Sequence, residues 1–291
     1  MLYSSPAYHF ADRVGTEKAM QMLMDAGFPA LDMSFFDDYS ETLGADGKAL
    51  AKRLRADADA RGVVYNQAHA PFQGTYDFFM ENQLPNFPRV FEFCSILGVK
   101  NIVVHPIKNC RYYGNEEKLF HMNVEYYRSL APLAKDNGVK IAIENIFTRH
   151  PVVQRNICPS VGADPHEHAR LFDTLADPEA FTLCLDVGHA ALCGKEPEDV
   201  IRVLGRERLG ALHVHDVDYI DDLHTLPGVG KLHWDAICRS LGEIDYAGEL
   251  TLEAVNFVRR YPVEFLPTVL RFMNDTAKMY ADKVDFYRKR A

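Results

Sequence analysis

The feature that most constrains this chain is an alternation. Eight short apolar runs lie near 2–4, 30–34, 63–69, 100–105, 139–144, 181–186, 210–215 and 248–253. Between and after them come eight longer amphipathic stretches, near 16–27, 46–61, 86–97, 116–137, 164–176, 196–205, 233–242 and 262–283. Short apolar runs read as strands and the longer periodic stretches as helices. A helix-length crossover carries the chain back to the end it started from, so successive strands must pair in parallel. The helical stretches carry end signals. In TEKAMQMLMDAG, Thr16 opens the stretch, Glu17 sits in the first turn and Gly27 closes it. Eight such units close an α/β fold of the (β/α)8 barrel type, which takes about 250 residues. No low-complexity tract, short repeat or Pro/Gly/Ser linker interrupts the chain, so residues 1–291 are expected to form one domain. The first strand has the weakest pattern of the eight.

Side chains alternate across a strand with period two. With the last polar residue of each strand facing inward, the other face carries Ile102 and Val104, Ile141 and Ile143, Leu183 and Leu185, Leu212 and Val214, and Leu250 and Leu252. Those are the bulky residues a barrel strand packs beneath its outer helices. The third strand, VVYNQAH, fits less well, because Asn66 falls on the outer side. The inward terminal residues are His69, His105, Glu144, Asp186, His215 and Glu253. Three imidazoles and three carboxylates therefore end six consecutive strands at the end of the barrel that carries active sites in this fold. His189 follows Asp186 in DVGH, and Asp222 and His224 form a DxH pair in the loop after His215.

Carboxylates crowded at one mouth repel one another, and a divalent cation removes that cost. Imidazole with carboxylate suits zinc or manganese, and also iron or cobalt. Each residue alone has a plainer reading. A strand-end histidine is commonly a hydrogen-bonded core residue, and paired buried carboxylates can be a structural network. Six ligand-type residues at six successive strand ends favour a metal.

Composition narrows the function classes. A formal net charge of −9 disfavours broad electrostatic capture of nucleic acid. No run approaches the roughly 18 apolar residues needed to span a bilayer. The opening MLYSSPAYHFADR lacks the layout of a signal peptide. Six scattered cysteines with no CxxC pair fit a reducing, cytoplasmic setting rather than a disulfide framework.

The segments IAIENIF, CLDVGHA, HVHDVDYIDDLHTLPGVGKLHW and LTLEAV resemble the xylose isomerase-like TIM barrel superfamily. That superfamily includes sugar-phosphate isomerases and epimerases, and also endonuclease IV. The resemblance runs from QAHAPF (67–72) to LEAV (252–255). In its epimerase branch it implies one divalent ion (Zn, Mn, Co or Mg) held by Glu144, Asp186, His215 and Glu253. Glu144 and Glu253 are then the acid–base pair on opposite faces of the substrate, and His189 orients a substrate hydroxyl. The ion grips the carbonyl and hydroxyl oxygens and stabilises an enediolate. In the endonuclease IV branch the resemblance implies three zinc ions. His69, His105 and Glu144 hold the first; Glu144, Asp186, His215 and Glu253 hold the second; His189, Asp222 and His224 hold the third. One to three ions per chain are thus implied. HVHDVD stands where endonuclease IV has an HxNDS stretch, and ENIF and LEAV replace its ENTAG-like and ETP-like turns. Lys231, His233 and Trp234 follow the pattern of the sugar isomerases. The expected function is a metal-dependent isomerase or epimerase of a sugar or sugar phosphate, the alternative being a phosphoesterase acting on abasic DNA. Relatives are often dimers or tetramers, so a homo-oligomer is compatible, although no interface is legible.

Other residues have two readings each. Arg111, Tyr112 and Tyr113, after His105, either contact substrate or form an exposed loop. Arg149, His150 and Arg155, after Glu144, either bind a phosphate or are solvated. Lys231 and Trp234 are candidate substrate contacts, Trp234 with packing as its plainer role. His213 reads as a packed core histidine, with support of the metal as the second reading. His166 and His168 read as polar surface, and Gly228 and Gly230 as turn formers.

Overall fold

The computed structural model describes residues 1–36, 41–72 and 74–290. Strand β1 (Tyr3–Ser4) is followed by helices α1 (Tyr8–Val14) and α2 (Thr16–Asp25). Strand β2 (Ala30–Ser34) leads to α3 (Gly47–Arg61). After β3 (Val64–His69) come the single turn α4 (Tyr76–Phe78), a π-helical turn over Phe79–Gln83, a 3-10 turn over Leu84–Asn86, and α5 (Phe87–Leu97). Strand β4 (Asn101–Val104) precedes α6 (Glu116–Asn137). Strand β5 (Lys140–Glu144) runs into a hairpin, β6 (Phe147–Arg149) with β7 (Ile157–Pro159), and then α7 (Pro165–Leu175). Strand β8 (Phe181–Asp186) passes directly into α8 (Val187–Leu192) and α9 (Pro197–Arg208). Strand β9 (Leu209–His213) is followed by α10 (Trp234–Glu243), and β10 (Leu250–Thr251) by α11 (Val255–Arg259), a 3-10 turn and α12 (Leu266–Arg288).

The strands pair in the order β2-β3-β4-β5-β8-β9, and β1 pairs with β10, all in parallel. Parallel bridges between Pro6 and Asp32 and between Val214 and Leu252 join these two sets. The ring is therefore closed, with eight strands and helices outside it. Closure leaves the ring itself without an unpaired edge.

Side chains sort onto two faces as the period of two requires. Val103, Ala142, Cys184 and Ala211 form a separate buried cluster within the ring. Ile102, Val104, Ile141, Ile143, Leu183, Leu185, Leu212, Leu250 and Leu252 belong to the larger core between strands and helices. The interior residues are small, so the barrel axis is filled tightly below the mouth.

Two helix bounds differ from the sequence reading, and the third strand keeps the parity read for it. The helix expected at 196–205 continues to Arg208 through a break at Gly205, where φ is +67°. The helix expected at 262–283 starts at Leu266 and runs to Arg288. Asn66 does point away from the axis, but its neighbour Gln67 is fully buried inside and donates to the Leu212 carbonyl across the barrel. A register shift between Leu31 and Asp32 accommodates β3 beside β2. Helix α1 and the β6–β7 hairpin have no counterpart in the sequence reading.

Candidate metal centre

The polar residues that end the strands converge at the C-terminal mouth. Four groups of ligand atoms form there, each with its atoms within 4.8 Å of one another. They are His69/His105/Glu144, Glu144/Asp186/His213, Asp186/His215/Glu253 and His189/His215/Asp222/His224. The groups overlap through Glu144, Asp186 and His215. The structure thus brings together all nine ligand-type residues named from the sequence, and adds His213.

Local structure aims each one. Asp186 caps α8, its Oδ1 accepting from the His189 backbone N–H at 2.7 Å, which sets both residues of the DVGH turn. Gly188 is required within that turn, since a β-carbon there would lie 2.1 Å from Cε1 of His215. Asn145 exchanges two hydrogen bonds with the Asp186 backbone, at 2.7 and 3.0 Å. Asp216 is fully buried and accepts from the backbone N–H groups of Val217, Gly228 and Leu232 and from the Trp234 indole. It thereby holds the loop that delivers Asp222 and His224.

The imidazoles show a consistent pattern. His69 Nδ1 donates to the Ala70 carbonyl at 2.8 Å, His189 Nδ1 to the Asn145 carbonyl at 3.0 Å and His224 Nδ1 to the Glu253 carbonyl at 3.0 Å. A carbonyl only accepts, so each Nδ1 carries a hydrogen; in the neutral ring this leaves Nε2 of His69 and His189 a lone pair, whereas Nε2 of His224 donates to Asp222 Oδ2 at 3.1 Å. Ligating histidines are oriented by such partners. His69 Nε2 lies 3.5 Å from Glu144 Oε2, and His105 Nε2 lies 2.8 Å from it. His215 Nε2 is 3.1 Å from both Asp186 oxygens. The rings of His215 and His224 stack at 3.9 Å.

Charge in the cluster is finely opposed. Burial favours a protonated Glu144, but His213 and His105 outweigh it and hold the carboxyl well below its usual range. Burial likewise works against a charged His213, yet Glu253 and Glu144 carry it well above an ordinary imidazole. His224 is pushed up to about 10, against burial, by its hydrogen bond to Asp222 and by Glu253. A divalent cation would compete with these protons, since metal and proton bind the same lone pairs. Glu144 Oε2, Asp222 Oδ1 and His215 Nδ1 are buried without an aligned hydrogen-bond partner, which leaves coordinating capacity in hand. The thiolate-free nitrogen and oxygen donors fit zinc, manganese, cobalt or iron.

Above the cluster opens a cleft of about 870 Å³. Its floor is His69, His105, Glu144, His189, Asp222, His224 and Glu253. Its walls include Tyr8, Phe36, Phe72, Lys108, Phe147, Asn256 and Arg259. Asp186, His213 and His215 lie just beneath, fully buried or nearly so.

Some expected contacts fall elsewhere. Trp234 is buried against Tyr280, its indole committed to Asp216, and does not line the cleft. Lys231, on the same loop, and Arg111, on the loop after β4, are exposed and do not line the cleft. Tyr112 donates to Glu167, Tyr113 is exposed, and Arg149, His150 and Arg155 belong to the β6–β7 hairpin region outside the cleft lining. His168 is not surface: it is fully buried and its Nε2 donates to the Ile143 carbonyl, whereas His166 is exposed. His213 does more than pack, since its Nδ1 donates to Glu144 at 2.9 Å. Asn145 and Asp216 could have been found from their positions directly after Glu144 and His215. Lys108 and Arg259 carried no comparable signal.

Comparison with known proteins identifies the family and the fold. A family model described as "Xylose isomerase-like TIM barrel" matches residues 20–289. A solved structure titled "D-tagatose 3-epimerase-like protein" superposes with a TM-score of 0.75 at 18% identity, covering 100% of this chain and 99% of that one. The IOLI protein, solved with a bound zinc atom, gives a TM-score of 0.74 at 18% identity, covering 99% of each chain. Among curated proteins, inosose isomerase of Bacillus licheniformis is 24% identical over 178 residues, which is 58% of this chain and 59% of that protein. A Methanocaldococcus jannaschii relative is 26% identical over 158 residues, 53% of this chain, which spans only 50% of that relative's length.

Proposed function

Because the chain belongs to the xylose isomerase-like TIM barrel family, we propose that it is a divalent-metal-dependent isomerase or epimerase of a sugar or sugar phosphate. The observation that carries this reading is the pair Glu144 and Glu253, both buried at the base of one cleft, with Asp186 and His215 between them. Glu144, Asp186, His215 and Glu253 would hold the ion. When bound there, a divalent cation supplies Lewis-acid polarisation of a substrate carbonyl.

The protein's own groups do the rest. Glu144 and Glu253 take a proton from the carbon beside the carbonyl and return one to it, so the pair needs one ionised and one protonated carboxyl. His213 donates to Glu144 and lies 3.4 Å from Glu253, so it couples the two carboxyls and holds their geometry. His189 and His224 line the cleft, where their imidazoles would orient substrate hydroxyls. Phe36, Phe72 and Phe147 border the reacting region with apolar surface that excludes water. The names of the similar structures and of inosose isomerase support a small polyol or ketose as substrate.

The test is solvent exchange. With Mn²⁺ or Co²⁺ bound, the enzyme should move deuterium from water onto a ketose carbon. Glu144→Gln and Glu253→Gln should each lower that rate by at least about a hundredfold, within the usual range for general acid–base groups. Full exchange in both variants removes the acid–base pair.

A second reading, a trinuclear zinc phosphoesterase acting on abasic DNA, is favoured by one observation. His69/His105/Glu144 and His189/His215/Asp222/His224 form ligand groups on either side of the central one. It requires three metal ions per chain by elemental analysis and incision of abasic duplex. One ion per chain without incision dismisses it.

A further inference from the structure

The cleft holds two cations that the proton transfer does not use. Lys108 lies three residues beyond His105 on the loop after β4, and Arg259 ends α11, which follows β10. In ring order β4 and β10 stand on opposite sides of the barrel, so the two side chains come from facing walls of one cleft. Among the described residues, neither has a salt bridge or a side-chain hydrogen bond.

Lys108 is half-buried, and burial alone lowers its pKa, with no carboxylate contributing. Withdrawing an ammonium from water without a partner is unfavourable. Its position is also fixed. The fully buried Asn123 side chain pairs with both the N–H and the carbonyl of Ile107, each at 2.8 Å. The loop therefore presents Lys108 from a rigid support, as a preorganised binding group requires. Arg259 sits beside Val255 and Asn256 at the rim, beyond Glu253. On this side the buried His9 has no partner for either ring nitrogen, and burial, Arg259 and Arg13 together hold it neutral at about 3. Arg259 is exposed at this rim, and among the described residues no carboxylate forms a salt bridge with it, whereas the acidic groups of the cleft are gathered in the metal cluster.

We propose that Lys108 and Arg259 select a substrate bearing an anionic group, a phosphate or a carboxylate, at the end remote from the carbon that exchanges its proton. This rests on the isomerase reading and narrows its substrate class. Ammonium and guanidinium on opposite walls recognise such a group by charge-assisted hydrogen bonds, while the carboxylates at the floor repel the same anion unless it is turned away from them.

The experiment compares D-fructose, D-fructose 6-phosphate and D-fructuronate as probes with the Mn²⁺-loaded enzyme, scored by deuterium exchange. The charged ketoses should be preferred in kcat/KM. Lys108→Met and Arg259→Met should each cut that preference on the order of tenfold through KM, the usual loss for a hydrogen bond to a charged group. Lys231→Met, outside the cleft, is the charge control. Preference for one charged ketose over the other tells phosphate from carboxylate. Equal use of fructose, or an unchanged preference in both variants, overturns the proposal. A separate readout keeps it independent of catalysis: sulfate binding to the metal-loaded protein by calorimetry. Binding that is lost in the Lys108→Met/Arg259→Met double variant supports the anion site even if no ketose exchanges, in which case the isomerase reading alone fails. No sulfate binding, or equal affinity in the double variant, overturns the site.

Discussion

Glu249 shows how one residue can set the response of the protein to pH. It lies four residues before Glu253 on the same inward face, at the floor of the barrel. It is almost fully buried, and neither carboxylate oxygen has a hydrogen-bond partner. Burial pushes its pKa up to about 8, with Asp32 adding to the rise and Lys100 opposing it. The folded protein therefore keeps a proton that the unfolded chain releases near pH 4.5. Its contribution to stability is fully present below that pH and is lost as pH rises toward about 8, at up to about 1.4 kcal/mol per unit. Glu249→Gln should flatten this decline and raise the urea midpoint at pH 8 while leaving it little changed at pH 4. A variant as pH-sensitive as the parent contradicts the assignment.

The loop from Val217 to Leu232 is gathered on one anchor. Its ends and its turn at Gly228 are gathered by the Asp216 carboxylate, and Lys231 N–H bonds the Val217 carbonyl. Gly228 has φ of +90° and Gly230 leaves no room for a β-carbon beside the Val217 carbonyl, so the turn needs both glycines. Asp216→Asn replaces an acceptor by a donor and leaves backbone N–H groups unpaired, at about 1–3 kcal/mol. Hydrogen exchange should then quicken across 217–232 while the strands stay protected, and metal held near His189, Asp222 and His224 should be bound more weakly. Uniform protection of the loop in the variant means the anchor lies elsewhere.

The whole molecule is a ring whose upper interior is polar and whose middle is packed with small residues. That division places ten ligand-type side chains on a floor that cannot sag, because Val103, Ala142, Cys184 and Ala211 fill the space beneath them. Ala142→Leu overpacks this layer. It should cost about 1–3 kcal/mol and lower the melting temperature by several degrees. An unchanged melting curve indicates a slack interior and a less rigid site.

Much of this was legible in the chain. The eight strand–helix alternations, the outward face of Ile102, Ile141 and Leu183, and the ligand-type residues at strand ends all follow from local periodicity, and locality is what a linear pattern records. Helix α1, the β6–β7 hairpin and the polar partner of Trp234 were not legible. Helix α1 is held by residues far along the chain, Arg13 donating to the Tyr261 carbonyl, and Trp234 by Asp216, while the hairpin strands are three residues each and too short to show a period. His213 and His215 have the same parity, so sequence alone could not say that both enter the ligand cluster. Lys108 and Arg259 are separated by about half the chain and become one feature only when the ring closes. The period of the sequence determined which face each residue takes. Closure of the barrel decided which faces meet, because distance across a ring is a property of the fold and of no single segment.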